Sequence, residues 1–438
     1  MDKRVDSNYK VTGQRFSQNM PEIKGVVKKV QLTPSQTEGF RDLTEGRENL
    51  FLTGGPGTGK SFLIREFLDQ CPQKVPVVAS TGAAAILIGG RTFHSFFGLG
   101  IMQGGAEAVV KKALKNKRLR KRLKQTATLV IDEVSMLSGQ TLDVAEHIAR
   151  AVKKSPLPWG GIRIIAVGDF AQLPPITRGR EKDWCFLSKT WERSRFKKVI
   201  LREVKRTEDA AFLEVLEDIR WGKNSERVRM FLNERLTGAD EVETNVPHVF
   251  PRRAQTDAFN RARLNEIECP SRFYKTEYGG RDIYIERLKR DAPVPEVLEL
   301  KKSALVMLRM NDPKQRYING TVGTLEELED DILLVRAGKR LLEIEPFTFT
   351  ILDDDGQEAA FAKNFPVTLA YASTIHKVQG TTLERCHISL RGLWEPGQAY
   401  VALSRARSGD GITLMDWDAS SICADLAVRE FYEREIQT

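Results

Sequence analysis

Gly54-Gly55-Pro56-Gly57-Thr58-Gly59-Lys60-Ser61 matches the phosphate-binding loop pattern G-x-x-x-x-G-K-[ST] at every position. Its flanks fit as well. Leu50-Phe51-Leu52 reads as a buried strand entering the loop, and Phe62-Leu63-Ile64 with Phe67-Leu68 opens a helix leaving it. Glycines let successive backbone N–H groups turn inward around a polyphosphate, where a Cβ would block the approach. The helix N-terminus adds the positive end of its dipole. Gly55, Pro56, Gly57, Thr58 and Gly59 form the cradle, Lys60 is placed to reach the β- and γ-phosphates, and the Ser61 hydroxyl to ligate Mg²⁺. The loop predicts a nucleoside triphosphate site.

Working outward, a chain of 438 residues is too long for one core, so two to four domains are expected. Hydrophobic residues make up 41% and charged residues 29%, as in an ordinary globular protein. No apolar run approaches the roughly 18 residues needed to cross a bilayer, and Met1 to Lys29 lacks the apolar core of a signal peptide. Cys71, Cys185, Cys269, Cys386 and Cys423 are odd in number and far apart, which points to reduced thiols in a cytoplasmic compartment. The net charge of +9 favours a polyanionic partner. From Lys111 to Lys124, nine of fourteen residues are Lys or Arg and none is acidic. A solvated basic helix with Val110/Leu114 and Leu119/Leu123 as apolar pairs is the alternative to nucleic-acid contact there.

Residues 1–30 read as a weakly ordered arm. Residues 31–197 alternate apolar strands with helical stretches, as a parallel α/β sheet requires, with strands expected at Leu50–Thr53, Val75–Ser80, Thr128–Ile131 and Arg163–Val167. The basic stretch at about 98–126 interrupts this alternation as a small insertion. A second α/β half is expected over 198–290 and 367–438. Between them, 291–366 carries short β-rich runs punctuated by Asn319-Gly320, Ala337-Gly338 and Asp355-Gly356, which predicts an inserted β domain.

Leu129-Val130-Ile131-Asp132-Glu133 is a buried strand ending in two carboxylates. At the edge of a doubly wound sheet, Asp132 would hold Mg²⁺ together with Ser61, and Glu133 would polarise the attacking water. Ile164 to Pro175 repeats the logic: a strand ends in Gly168-Asp169, followed by Gln172 and Pro174-Pro175. Gln172 is placed to sense the γ-phosphate or orient the water, the alternative being a simple capped turn around Asp169. Leu137-Ser138-Gly139-Gln140 follows the Asp-Glu strand, whereas the similar transporter-ATPase signature precedes it, and no Asn-Lys-x-Asp guanine motif is present.

These segments and others, in order from Leu32 onward, resemble a superfamily 1 DNA helicase of the Pif (petite integration frequency) and RecD-like branch. Leu32-Thr33-Pro34-Ser35-Gln36 is similar to the family's adenine-reading motif, and Thr81 to Ala85 with Gly90 to Phe97 to its first DNA-contacting motif. Val204-Lys205-Arg206 resembles the motif whose arginine touches the γ-phosphate, although Thr207 stands where a glutamine is expected. Phe212 to Gly222, with Asp218-Ile219-Arg220, is similar to the family signature. Thr374-Ile375-His376-Lys377-Val378-Gln379-Gly380-Thr381-Thr382 and Tyr400 to Arg407 complete the series.

The resemblance implies two RecA-like parallel-sheet P-loop domains, a basic wedge insertion and an inserted SH3-like β-barrel. It implies an ATP-dependent helicase that moves 5′ to 3′ on single-stranded DNA, with Mg-ATP hydrolysed between the halves. Lys60, Glu133, Gln172, Arg206 and Arg405 would be catalytic, Arg405 as the arginine finger, and Gln36 and Gly380 would join the nucleotide contacts. A motor must grip any sequence, so its DNA contacts should be backbone contacts and stacking. Thr81, His94, Phe97 and Pro174 on the first half, and Thr374, His376 and Lys377 on the second, are the candidates. Core packing is the alternative for Phe93, Phe96 and Phe97, and a structural histidine for His94. The implied partners are single-stranded and tailed duplex DNA, with no membrane, met by a monomer in a bacterial or phage-type cytoplasm at the nucleoid. The competing function is an ATP-regulated nucleic-acid switch that clears proteins but unwinds little.

Overall fold

The computed structural model describes residues 31–73, 75–87, 90–100, 102, 105–175, 182–238, 241, 246–312, 314, 316–353 and 357–436. The expected N-terminal arm, residues 1–30, lies outside them. The first sheet is built from β1 (Leu50–Gly54), β2 (Val77–Ala79), β3 (Arg91–Thr92), β4 (Thr128–Asp132), β5 (Arg163–Val167) and β6 (Lys197–Leu201). All neighbours are parallel, in the order β3-β2-β4-β5-β1-β6. Parallel strands are covered by helices on both faces, which is why the central ones read as unbroken apolar runs. Leu50, Phe51, Leu52, Leu129, Val130, Ile131, Ile164 and Ile165 are at most 1% exposed. Their register sets Leu52 beside Val167 and Ile131 beside Ala166, so the loops leaving β1, β4 and β5 open at one edge. β6 pairs with β1 along its whole length, so this sheet runs to Leu201, past the boundary expected at residue 197.

The basic insertion is a pair of helices, Gly105–Lys115 and Lys117–Gln125. Val109, Ala113, Leu119 and Leu123 are buried, and both helices pack on the helix Gly139–Lys153 while most of the lysines and arginines face outward. Arg122 is tied down, donating to the Phe96 carbonyl and lying 5.2 Å from the Phe96 ring centroid.

The second half begins its sheet at β7 (His248–Phe250). A long antiparallel region follows: β8 (Arg272–Lys275), β9 (Glu277–Gly280), β10 (Val297–Leu300), β11 (Leu305–Leu308), β12 (Val322–Leu328), β13 (Leu333–Ala337), β14 (Arg340–Ile344), β15 (Phe347–Leu352), β16 (Glu358–Asn364) and β17 (Val367–Leu369). The chain then returns through β18 (Ala372–Thr374), β19 (Cys386–Ser389) and β20 (Ile412–Asp416), which with β7 form a parallel sheet in the order β18-β7-β19-β20. The antiparallel strands form open sheets, β14-β13-β12-β11-β17, β15-β16-β9 and β10-β8. Gly338, at φ +59°, turns the hairpin between β13 and β14 where a glycine was expected. Because β9 pairs with β16, β8 with β10 and β17 with β11, the antiparallel region draws in strands on both sides of 291–366.

The last helix, Leu426–Ile436, does not stay with the second sheet. Phe431 enters an aromatic cluster of the first half, with ring centroids 4.5 Å from Phe186, 5.4 Å from Phe170 and 6.3 Å from Phe51. Glu435 pairs with Lys198 at 2.5 Å. The first half is thus closed by the chain's final turns.

Candidate functional site

β1 delivers the chain into the loop Gly54–Gly59, and the helix Lys60–Gln70 leaves it. Gly57 (φ +79°) and Gly59 (φ +88°) hold left-handed backbone, and a Cβ on either would meet a neighbour: Arg206 Cβ at 2.4 Å and Gln36 Nε2 at 2.6 Å. Gln36 sits in the first turn of the helix Pro34–Glu45, where it completes a capping box with Thr33. Its Oε1 accepts from Thr33 N at 3.0 Å and its Nε2 donates to the Thr58 carbonyl at 2.9 Å. One end of the expected adenine reader therefore braces the loop, and the other caps its own helix. Lys60 Nζ donates to the carbonyls of Gly54 (2.7 Å) and Gly55 (3.2 Å), and burial lowers its pKa.

β4 ends at Asp132, and Glu133 follows at φ +51°, a left-handed conformation that a non-glycine residue holds only at a cost of order 1–3 kcal/mol. Burial raises the pKa of both carboxyls; for Glu133 the neighbouring Asp132 adds to the rise, while Lys60 and Arg405 oppose it. A buried acidic pair held above its ordinary range is a place where a cation is welcome, and the Asp132 carboxylate and Ser61 hydroxyl are oxygen donors of the kind a hard divalent ion takes, with phosphate and water oxygens completing its shell. Among the described residues no cluster of three or more His, Cys, Asp or Glu forms a metal cage.

The opposite wall comes from the second half. Arg206 donates to the Ser404 carbonyl at 2.6 Å. Arg405, 2% exposed, donates to the Val401 carbonyl and to Ser404 Oγ, each at 2.8 Å, and burial followed by Arg206 pushes its pKa down to about 9. Among the described residues neither guanidinium has a carboxylate within ion-pair distance, and two cations held together in this way are suited to an anion of high charge. Pro56, Gly57, Gly59, Lys60, Ser61, Glu133, Gln172, Arg206, Gly380 and Arg405 all line one cavity of about 1200 Å³. Gln36, Gly55, Thr58 and Asp132 stand outside that lining.

Three groups here were not singled out from the sequence. Gln379, two residues after Lys377, donates from Nε2 to Gln172 Oε1 (3.3 Å) and Glu133 Oε2 (3.4 Å), bridging these two first-half side chains from the second half. Tyr400 and Tyr432 converge on Asp169, which is fully buried. Asp169 accepts from Tyr432 OH (3.1 Å), Tyr400 OH (3.5 Å) and Arg220 NH2 (3.1 Å). Burial opposes its ionisation, yet Arg220 and Lys60 hold the carboxyl below its ordinary value. Gln379, Tyr400 and Arg220 lay in segments already marked but had been given no role of their own, and Tyr432, in an apolar helix, carries no local signature.

The expected strand contacts divide. Thr81 caps the short helix Gly82–Leu87 by accepting from Ala84 N at 3.2 Å, and His94 is partly exposed. The helix Asp282–Asp291 lies over this patch: Arg287 donates to Thr92 Oγ1 at 2.6 Å, and a Cβ on Gly82 would stand 2.2 Å from Asp291 Oδ2. Phe97 corrects the expectation. It is fully buried against Phe93, Phe96 and Trp159, with centroids at 4.8, 5.1 and 5.9 Å, so its ring belongs to the core and is unavailable to a base. Pro174 is buried too, which leaves it no open face for a strand in this conformation. On the second half, Thr374 caps the helix Ile375–Val378 by accepting from Lys377 N at 3.3 Å, presenting His376 and Lys377 at the surface.

Residues 31–229 match the family described as PIF1-like helicase. The chain is 48% identical over 410 residues to the ATP-dependent DNA helicase Pif1 of Bdellovibrio bacteriovorus, covering 93% of each chain. It superposes on Bacteroides Pif1 in complex with ADP-AlF4 with a TM-score of 0.81 at 27% identity, covering 93% of this chain and 98% of that one. Against Bacteroides Pif1 bound to single-stranded DNA the TM-score is 0.64 at 27% identity, covering 92% and 97%. With a nucleotide cleft between two parallel α/β halves and a relative this similar along nearly its whole length, the chain belongs to the Pif1-like helicases.

Proposed function

We propose that this chain is an ATP-dependent DNA helicase that travels 5′ to 3′ along single-stranded DNA and opens duplex or structured DNA, G-quadruplexes among the candidates. Family membership supports the helicase activity. The observation that carries the mechanism is that one cavity is lined by hydrolytic groups from both halves. Glu133 takes the proton of the attacking water, Gln172 and Gln379 orient that water, and Lys60, Arg206 and Arg405 balance the charge that gathers on the γ-phosphate. Ser61 and Asp132 would hold Mg²⁺, which neutralises the phosphates when bound. ATP joins the halves, and its hydrolysis frees them to part.

In this reading Thr81 and His94 grip the strand from the first half, and Thr374, His376 and Lys377 from the second. The helix pair within 98–126 acts as the wedge at the junction. The antiparallel region acts as the SH3-like insertion, extending over 272–369, with the RecA-like halves reaching from 31 to 201 and from 202 onward. A monomer working on single-stranded and tailed duplex DNA in a bacterial cytoplasm, at the nucleoid, is the setting the reading implies. Among the described residues no helix is long and apolar enough to cross a membrane.

The test is ATP-dependent strand separation on matched duplexes carrying a 5′ or a 3′ single-stranded tail. Opening only the 5′-tailed duplex is the expected result. Opening only the 3′-tailed one would overturn the direction, and turnover of ATP without separation of either would favour the nucleic-acid switch.

A further inference from the structure

All six tryptophans fall within the described residues, yet only Trp394 is an exposed one, at 51%. A large aromatic left in water is uncommon enough to ask what covers it. Its setting is firm. The Trp394 and Glu395 amides both donate to Gln398 Oε1, at 3.0 and 3.2 Å, and Gln398 is fully buried. The Glu395 carboxylate pairs with Lys182 of the first half at 2.6 Å. The ring lies near parallel to that of His376, at 22° and 6.3 Å between centroids, and the Arg252 guanidinium stands 5.7 Å from its centre.

The surroundings are cationic. Lys377 and Arg253 are exposed nearby. Asp257 pairs with Arg253 at 3.2 Å and Glu395 with Lys182, so the local carboxylates are already matched while Arg252 and Lys377 add positive charge. A fixed, half-exposed ring beside cations suits a flat apolar group carrying a phosphate. That combination is a nucleotide of a single strand, whose base stacks while its backbone meets the cations.

We propose that Trp394, backed by His376 and flanked by Arg252, is a base-stacking site for single-stranded nucleic acid on the second half. This rests on the helicase reading, which already places the strand against His376 and Lys377. The ring sits at the start of the segment that runs through Gln398 to Arg405, so an occupied platform lies close in the chain to the arginine wall of the nucleotide cleft.

The experiment measures binding of the full chain to a labelled oligothymidine across a salt series, for the parent, Trp394→Ala, Trp394→Phe and Lys377→Ala. Stacking by one aromatic predicts roughly 5- to 150-fold weaker binding for Trp394→Ala, largely restored in Trp394→Phe. The slope of log affinity against log salt should stay at the parental value for Trp394→Ala and become shallower for Lys377→Ala, because only the lysine meets phosphate. The parent's exposed tryptophan emission should also change when the strand binds and become shielded from iodide. Parental binding by Trp394→Ala, with iodide access unchanged in the parent complex, would overturn the stacking site and leave the helicase reading intact. No strand binding by the parent at all would instead remove the helicase reading on which the proposal stands.

Discussion

Tyr432→Phe removes a single oxygen from the last helix, and the structure says what should follow. That hydroxyl meets Thr53 Oγ1 at 3.0 Å, the Phe170 amide at 3.1 Å and Asp169 Oδ1 at 3.1 Å. Thr53 lies at the end of β1, just before the phosphate loop, and Asp169 and Phe170 lie just after β5, just before Gln172. One side chain therefore pins together the two strand ends that position the loop and Gln172. Without it, the buried Phe170 N–H loses its acceptor, which costs roughly 1–3 kcal/mol, and the buried Asp169 carboxylate loses one donor, worth roughly 1.5–3 kcal/mol. Asp169 retains Arg220, Tyr400 and the Ala171 amide. Local relaxation recovers part of the sum, so we expect about 3 kcal/mol off the unfolding free energy of the first half, read from urea midpoints at unchanged m. ATP turnover should fall several-fold at an unchanged KM for ATP, since the nucleotide cradle keeps its own bonds. Tyr400→Phe, at the longer 3.5 Å contact, should do less to stability. Parental urea midpoint and parental turnover in Tyr432→Phe would refute the reasoning: the final helix would then be a lid packed by Phe431 alone.

Burial and Asp132 hold the Glu133 carboxyl well above its ordinary 4.5, and a protonated base cannot accept the water's proton. ATP turnover at saturating nucleotide should therefore fall as pH drops through the slightly acid range, approaching about tenfold per unit, and a rate flat down to pH about 5 would exclude Glu133 as the base. Arg405→Ala should leave nucleotide binding largely intact and lower DNA-stimulated turnover by ~10³-fold or more, as loss of an arginine finger does; parental turnover measured with DNA present would remove that role. Phe97→Ala should cost about 3–5 kcal/mol of stability measured by denaturant, with single-strand affinity held at the parental value below the unfolding transition, because the ring is core. A large loss of strand affinity in a still folded Phe97→Ala protein would restore the ring to the interface.

The cleft was legible in the sequence because its parts are local. Gly54 to Ser61, the acidic end of β4 and the Gly168-Asp169 end of β5 each combine a buried strand with a chemically distinct terminus, a pattern short enough to read in one dimension. Phe97 misled for the same reason: a phenylalanine beside His94 in a DNA-contact motif has the same letters whether its ring faces a base or Trp159. The edges of the units were hidden in pairing. The chain from Lys198 to Leu201 reads as the opening of a new half, and only its pairing with β1 assigns it to the first sheet. The return of the last helix was equally hidden, because Phe431 and Tyr432 make an ordinary apolar stripe. Their partners, Phe170, Thr53 and Asp169, lie more than two hundred residues away along the chain.

In the second half, the proposed strand contacts and the proposed nucleotide contacts are separated by very short stretches of chain. Lys377, exposed at the end of the helix Ile375–Val378, stands two residues from Gln379, whose amide touches Gln172 and Glu133. Two residues span at most about 7 Å of extended backbone, so a displacement of the lysine by several ångström must move the glutamine or unwind that turn. Trp394 is fastened through Gln398 to the start of the helix Gln398–Leu403, and Arg405 follows two residues beyond its end. A six-residue helix held at its first turn moves nearly as a rigid rod, so a shift of the tryptophan loop is carried to the guanidinium. Both connections enter the cleft on the side opposite the phosphate loop. On the proposed mechanism, the displacement that would seat Gln379 and Arg405 as the halves close on a nucleotide would also shift the proposed strand-facing surface, with no long pathway through the core.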